Sequence, residues 1–281
     1  MKLLITGATG FLGGRVAGYF RGKAQVLTPT HGALEITDRA AVREFLERER
    51  PDVLLHCAAI SDTGACQREP EYSRAINVEG AVHMAEAAGA VGTKCILCSS
   101  DQVYFGSPEK KAHREDEVLT PKNVYGRDKL EMERLCLAAN PEAVLLRLSW
   151  MYDRESLHAG EHGDFLRSLL RDLRGGEKLS FPIYDRRGIT DVNEVVRNLE
   201  RCISLPGGIY NFGAPNDCST FELMERVFDR LHLDRGLLER NEAAFADDHR
   251  NLCMDMGRAE RAGLRFSSTE EGLVHVLEQV L

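Results

Sequence analysis

Tyr125 and Lys129 stand four residues apart in Asn123-Val124-Tyr125-Gly126-Arg127-Asp128-Lys129. That spacing places both on one face of a helix, one turn apart. A tyrosine hydroxyl can act as a general acid, but its ordinary pKa near ~10 is too high for facile exchange near neutrality. An ammonium one turn away stabilises the phenolate and lowers that pKa. Twenty-five residues earlier, Ser99-Ser100 ends the run Lys94–Cys98, and a serine at a strand end can hold a carbonyl by hydrogen bond. Ser100, Tyr125 and Lys129 are therefore the residue types for proton delivery to a carbonyl oxygen. Tyr-x-x-x-Lys also recurs by chance on solvated helix faces, so the rest of the chain has to support the reading.

The support lies at the N-terminus. Leu3, Leu4 and Ile5 read as a buried strand, and Thr6-Gly7-Ala8-Thr9-Gly10-Phe11-Leu12-Gly13 follows it into the helical pattern Phe11, Leu12, Val16, Ala17, Phe20. Gly7 permits the tight turn, Gly10 lets the backbone approach a pyrophosphate, and Gly13 lets the helix pack near the strand. The free N–H groups and positive dipole end of that helix suit a phosphate. A glycine pattern alone can mark a loop; between a strand and a helix it predicts a dinucleotide site around Gly7, Thr9, Gly10, Phe11 and Leu12. A second strand, Gln25–Thr28, ends without the acidic residue that would hold the adenine-ribose hydroxyls. Its absence tilts the cofactor toward NADP(H) over NAD(H), although no arginine takes the acid's place. The third strand, Val53–His56, ends in Cys57-Ala58-Ala59-Ile60. Small residues there let backbone lie flat against a ligand, and tight packing would explain them equally well.

These residues need a scaffold that brings strand ends together. Strands and helices alternate from residue 1 to about 150, which predicts an α/β fold with a doubly wound parallel, Rossmann-type sheet. The expected division is 1–150 for the dinucleotide-binding part and 151–281 for a small C-terminal substrate lobe. Segments near 185–215 should return to the first part, so the two interleave. Arg39–Glu49, about Glu71–Ala90 and Asp191–Cys202 read as helices, Leu179–Phe181 and Gly208–Phe212 as strands, and residues from Ser219 onward as two or three helices. A net charge of −8 argues against nucleic acid or an anionic membrane surface as main partner. No apolar run approaches the ~20 residues of a membrane span. Eight cysteines without zinc or disulfide spacing, and no signal peptide, read as thiols of a reducing cytoplasm. His158, Glu161, His162 and Asp164 cluster in a Gly-flanked loop without ligand spacing, and no metal is expected. Arg186 and Arg187 could grip a diphosphate or form an exposed turn. Trp150 reads as either a substrate contact or a core anchor.

Taken together, these motifs resemble the extended short-chain dehydrogenase/reductase family over almost the whole chain, most closely its dTDP-4-dehydrorhamnose reductase branch. The residues that carry the likeness are the glycine run, Leu34-Glu35-Ile36-Thr37-Asp38, Ser99-Ser100-Asp101, Tyr125 with Lys129, Arg147-Leu148-Ser149-Trp150-Met151-Tyr152 and Asn251-Leu252-Cys253-Met254-Asp255. The resemblance implies NAD(P)-dependent reduction of the keto group of a nucleotide-activated sugar. Ser100, Tyr125 and Lys129 would be catalytic. Thr28, Glu35, Ile36, Cys57, Ala58 and Ala59 would join the glycine run, Tyr125 and Lys129 around the cofactor, and Ser61, Asp101, Gln102, Trp150 and Arg187 would contact substrate. It also implies a homodimer as one assembly, formed by the helices Glu71–Ala90 and Val124–Ala139. Thr63-Gly64-Ala65-Cys66-Gln67 stands where those reductases carry an acid and a lysine, and Gln102 where they carry an aromatic; both departures fall in substrate territory. A nucleotide-sugar epimerase and a non-catalytic NAD(P)-binding regulatory subunit are the alternatives.

Overall fold

The computed structural model describes residues 1–157 and 163–281. In chain order, β1 is Lys2–Thr6, α1 Phe11–Phe20, β2 Gln25–Leu27, α2 Arg39–Glu49 and β3 Val53–His56. Two short helices follow, α3 at Thr63–Arg68 and α4 at Pro70–Arg74, then a π-helical segment, Ala75–Gly80, which leads into α5 at Ala81–Val91. Next come β4 at Lys94–Ser100, a 3₁₀ turn at Asp101–Tyr104, α6 at Val124–Ala139 and β5 at Val144–Leu148. The second half contains β6 Trp150–Tyr152, α7 Phe165–Gly175, β7 Leu179–Pro182, β8 Asp185–Arg187, β9 Ile189–Asp191, α8 Val192–Cys202 and β10 Gly208–Phe212. It ends with α9 Thr220–Arg230, β11 Leu238–Asn241, β12 Arg250–Leu252, α10 Gly257–Arg261 and α11 Thr269–Glu278.

Six of these strands form one parallel sheet in the order β10-β5-β4-β3-β1-β2. The chain runs from β1 out to β2, crosses back to β3 and continues the other way. The strand order therefore reverses between β1 and β3, and the carboxyl ends open a crevice there. Both faces of a parallel sheet are covered, so its strands are apolar nearly throughout. Leu3, Ile5, Leu55, Ile96 and Leu146 pack toward α1 and α8 on one face. Leu4, Leu54, Leu97 and Leu145 meet residues of α2, α5 and α6 on the other. A separate cluster joins α7, α9 and α11 through Leu166, Leu169, Leu223, Val227, Leu273 and Leu277. The parallel pairs β6–β9, β8–β12 and β7–β11 stitch the second half together. No helix among the described residues is long and apolar enough to cross a membrane.

The doubly wound parallel sheet is the architecture the sequence predicts. Two local differences matter. The helix expected over Glu71–Ala90 is interrupted by the π-helical segment, whose wider turn re-aims the side chains it carries. The strands β11 and β12 are absent from the sequence reading: they are short, polar, and paired only with distant segments.

Candidate active site

The glycine turn closes on itself and on the end of β3. Gly7 has φ +68°, a left-handed conformation, and a Cβ on it would stand 2.7 Å from the Ala58 amide nitrogen. Gly10 N–H donates to the Gly7 carbonyl at 3.0 Å, and a Cβ on Gly13 would lie only 2.3 Å from that same oxygen. Gly10 precedes α1 with no side chain capping the helix. Gly7, Thr9, Gly10, Phe11 and Leu12 all line one cavity of about 590 Å³. An uncapped helix end, bordered by glycines and open to a cavity, fits a pyrophosphate.

The next wall comes from the end of β3 and the loop beyond. Cys57, Ala59, Ser61 and Thr63 line the cavity, whereas Ala58 packs into the α2–α5 layer. The loop is held by Asn77, which the π-helical segment supplies: Ile60 N–H donates to Asn77 Oδ1 at 2.9 Å, and Asn77 Nδ2 donates to Ile60 O at 3.0 Å. Beneath it, the Thr6 hydroxyl and His56 Nδ1 bridge β1 to β3 at 2.8 Å.

The start of α6 is pressed onto the end of β4. Asn123 caps the helix by accepting from Gly126 N–H at 2.7 Å, and its Nδ2 donates to Gln102 Oε1 at 2.9 Å. A Cβ on Gly126 would stand 2.4 Å from the Gln102 carbonyl, so only glycine allows this approach. Ser100 caps the 3₁₀ turn, its Oγ accepting from Gln102 N–H at 3.2 Å. These contacts bring Ser100, Tyr125 and Lys129 to the same cavity, all three buried. Burial holds the Tyr125 phenol well above its ordinary pKa, with a hydrogen bond from Ser100 opposing it. Lys129 does not reverse this. Burial lowers its own pKa, and its Nζ donates to the Cys98 carbonyl at 2.9 Å while lying 5.7 Å from the Tyr125 ring centre. The depression of Tyr125 expected from the four-residue spacing is thus replaced by the larger effect of desolvation.

Behind this trio, Glu133 on α6 accepts from Arg147 of β5 at 2.9 and 2.7 Å and from the Ser99 hydroxyl at 2.5 Å. Arg147 also donates to Tyr104 Oη at 2.8 Å, and Tyr104 donates to Asn211 of β10 at 2.6 Å. Both partners of the ion pair are buried, and burial with full hydrogen bonding fixes α6 relative to β4 and β5.

The far wall is built by the second half. Trp150 is 41% exposed and lines the cavity, so it is no core anchor. Arg187 stacks 4.8 Å from its ring and pairs with Asp101 at 3.3 Å; burial raises the Asp101 pKa, and Arg187 opposes that shift. Gln102 also faces the cavity. Arg250, which sequence reasoning missed, lines it as well and forms a two-pronged pair with Asp185, 2.7 Å on each arm. It arrives there through the β8–β12 register, which sets Arg250 beside Asp185, and no motif announces that pairing. Besides Ala58, three further expected cofactor residues are not in the wall. Thr28 is exposed beyond β2, Glu35 is engaged with the Thr37 backbone and hydroxyl, and Ile36 is buried against Gly80. Of the acidic–histidine loop, His158, Glu161 and His162 lie outside the described residues. Asp164 lines the cavity and caps α7, accepting from Arg167 N–H at 2.9 Å.

The model of the family described as RmlD substrate binding domain matches residues 1–280. A dTDP-4-dehydrorhamnose reductase of Mycolicibacterium smegmatis is 34% identical over 237 residues, which cover 83% of this chain and 70% of the relative. Methionine adenosyltransferase 2 subunit beta of Xenopus tropicalis is 35% identical over 257 residues, 83% of this chain and 72% of that one. Among solved structures, dTDP-4-dehydrorhamnose reductase of Bacillus anthracis in complex with NADP superposes with a TM-score of 0.85 over 99% of both chains at 22% identity, a likeness of fold.

Proposed function

The chain belongs to the RmlD substrate binding domain family, and from that premise we propose that it is an NAD(P)-dependent reductase acting on the keto group of a nucleotide-activated sugar. The observation that carries this reading is the convergence of Ser100, Tyr125 and Lys129 with the glycine turn on one cavity. A dinucleotide bound there would supply the hydride. The Gly7–Leu12 turn and α1 N-terminus would hold its pyrophosphate, and Cys57 and Ala59 would flank it. Ser100 would orient the substrate carbonyl. Tyr125, kept protonated by burial, would deliver the proton to the carbonyl oxygen, a state suited to the reductive direction. Lys129, anchored on the Cys98 carbonyl, would steady the nicotinamide ribose. On the opposite wall, Trp150 would stack on substrate while Arg187 and Arg250 present guanidinium groups to its diphosphate.

The eight unpaired thiols suit the cytoplasm, where we place the protein. We also carry forward a homodimer formed by α4–α5 and α6. Val78, Ala85 and Ala88 are taken up by the chain's own core and Val82 packs against it, which leaves half-buried Ala75 and exposed Tyr72 for a partner. The likeness to an adenosyltransferase subunit favours a second reading, a non-catalytic dinucleotide-binding subunit. Absorbance assays with NADPH and NADH against a series of nucleotide-linked keto sugars separate the two. Substrate-dependent oxidation of reduced cofactor is expected. Tight cofactor binding without turnover on any keto sugar would overturn the reductase in favour of the subunit.

A further inference from the structure

We propose that Cys57 and Cys98 form a redox-sensitive pair on the cavity wall, joined as a disulfide by small peroxides when the cavity is empty and shielded when a dinucleotide lies over them. The shielding rests on the cofactor reading above; the pair itself does not. All eight cysteines are unpaired, and only Cys57 and Cys98 line the cavity. Their sulfurs are 3.7 Å apart. The β3–β4 register ends at His56 beside Leu97, which sets Cys57 beside Cys98 one step further on. Neighbouring strands lie ~4.8 Å apart, inside the Cα range of about 4.4–6.8 Å that a disulfide spans. The sulfurs must close from 3.7 Å to the ~2.05 Å of a disulfide, a movement shared between side-chain rotation and a small shift of the two strand ends. Cys95 and Cys136, by contrast, are buried in the opposite layer, where burial raises both thiols, Cys136 to about 12.

The local charges divide the labour. The two sulfurs share one S–H···S contact in which either can donate, and the Lys129 ammonium beside them favours a thiolate on both. Lys129 is anchored on the carbonyl of Cys98 itself, at 2.9 Å, which makes Cys98 the nucleophile and Cys57 the resolving thiol. The Cys98 thiolate attacks one peroxide oxygen and the O–O bond breaks. That leaves a sulfenic acid on Cys98, and the departing oxygen leaves as water after taking up a proton. The Cys57 sulfur then attacks the Cys98 sulfur, the S–O bond breaks, and the hydroxide takes the Cys57 proton as a second water. Two thiols are oxidised by two electrons, and one peroxide is reduced to two waters. The new bond redraws the wall beside the glycine turn. It also displaces the backbone whose carbonyl holds Lys129, so dinucleotide binding should weaken.

Peptide mapping of thiol-blocked, unreduced protein after hydrogen peroxide treatment tests the pair. The expected product is a peptide linking Cys57 to Cys98, with an intact mass lower by two hydrogens and restored by dithiothreitol. Calorimetry should show NADPH affinity about tenfold weaker in the oxidised form, and saturating NADPH should slow linkage by about tenfold. In Cys57→Ser no crosslink can form, and Cys98 should instead be trapped as a dimedone-labelled sulfenic acid. Recovery of both wild-type thiols as alkylated cysteines after peroxide overturns the proposal, as does linkage at an undiminished rate under bound NADPH. If NADPH does not bind at all, the function reading and the shielding fall together, while the crosslink, read by mass alone, still decides the pair.

Discussion

At the scale of single residues, desolvation sets the chemistry. Tyr125 sits in the cavity wall with its phenol held protonated, so removing that hydroxyl removes the proton donor and little else. Tyr125→Phe should lower turnover by about 100-fold or more with NADPH affinity nearly unchanged, measured by steady-state assay and calorimetry. Near-normal turnover would show that another group delivers the proton. His56 yields a different prediction. It is buried with Nε2 unpartnered among the described residues, and burial together with Lys129 lowers its pKa from 6.5 to about 3. The unfolded chain therefore takes up this proton first, and stability that is complete above pH 6.5 is lost as pH falls toward 3. Each pH unit inside that window is worth ~1.4 kcal/mol, so about 2 kcal/mol should vanish between pH 6.5 and 5. The buried carboxyls Asp101 and Asp128 have raised pKa values and act in the opposite sense, so the comparison must be differential. In urea titrations at the two pH values, His56→Asn should show the smaller acid loss; equal losses would mean His56 is protonated in the fold. Tyr125, Lys129 and the glycines were legible because local spacing carries their geometry. The sign of the Tyr125 shift was not, because burial is contributed by residues far apart in the chain.

Among the elements, α1 and α6 carry most of the site. The turn before α1 can be tested without breaking it: Gly10 has φ −85°, and a Cβ there would meet only the Gly7 carbonyl, at 3.3 Å. Gly10→Val should therefore fold and melt within a few degrees of wild type, with its methyl groups in the space a pyrophosphate needs. NADPH affinity should drop by about 100-fold or more, and unchanged affinity in the folded variant would make the turn purely structural. The α6 helix depends on the buried pair of Glu133 and Arg147. Arg147→Met leaves the Glu133 carboxylate buried without its partner, which costs about 3–5 kcal/mol in denaturant titration; a loss below ~1 kcal/mol would show that water or a rotamer change relieves the charge. The existence of α6 follows from its Tyr-x-x-x-Lys spacing and its apolar positions. Its brace does not, since Arg147 and Asn211 meet only once the sheet has formed. The π-helical segment escaped for a related reason: nothing local distinguishes Asn77 until Ile60 is there to be clamped.

For the whole molecule, the parallel sheet was legible from strand–helix alternation. The composition of the far wall was not, because Arg250 reaches it through a strand pairing 65 residues apart in sequence. Assembly is governed by what folding leaves outside. The apolar residues of the two helices expected to pair across a dimer are mostly consumed: Val78, Ala85 and Ala88 are buried in the layer beneath, and Val82, Leu135 and Leu137 are packed against it. The remaining surface centres on Tyr72, 57% exposed, with Arg74 bridging Glu79 and Glu131 beside it. An apolar centre with a charged rim suits an isologous contact, in which each Tyr72 packs on the partner's α4–α5 face. Sedimentation at micromolar concentration should then give twice the 31.4 kDa chain mass. Tyr72→Glu would place two like charges near the two-fold axis and should shift the protein to monomer while leaving its melting behaviour intact. A wild-type species of 31.4 kDa with full activity ends the dimer proposal, and a Tyr72→Glu dimer moves the interface elsewhere.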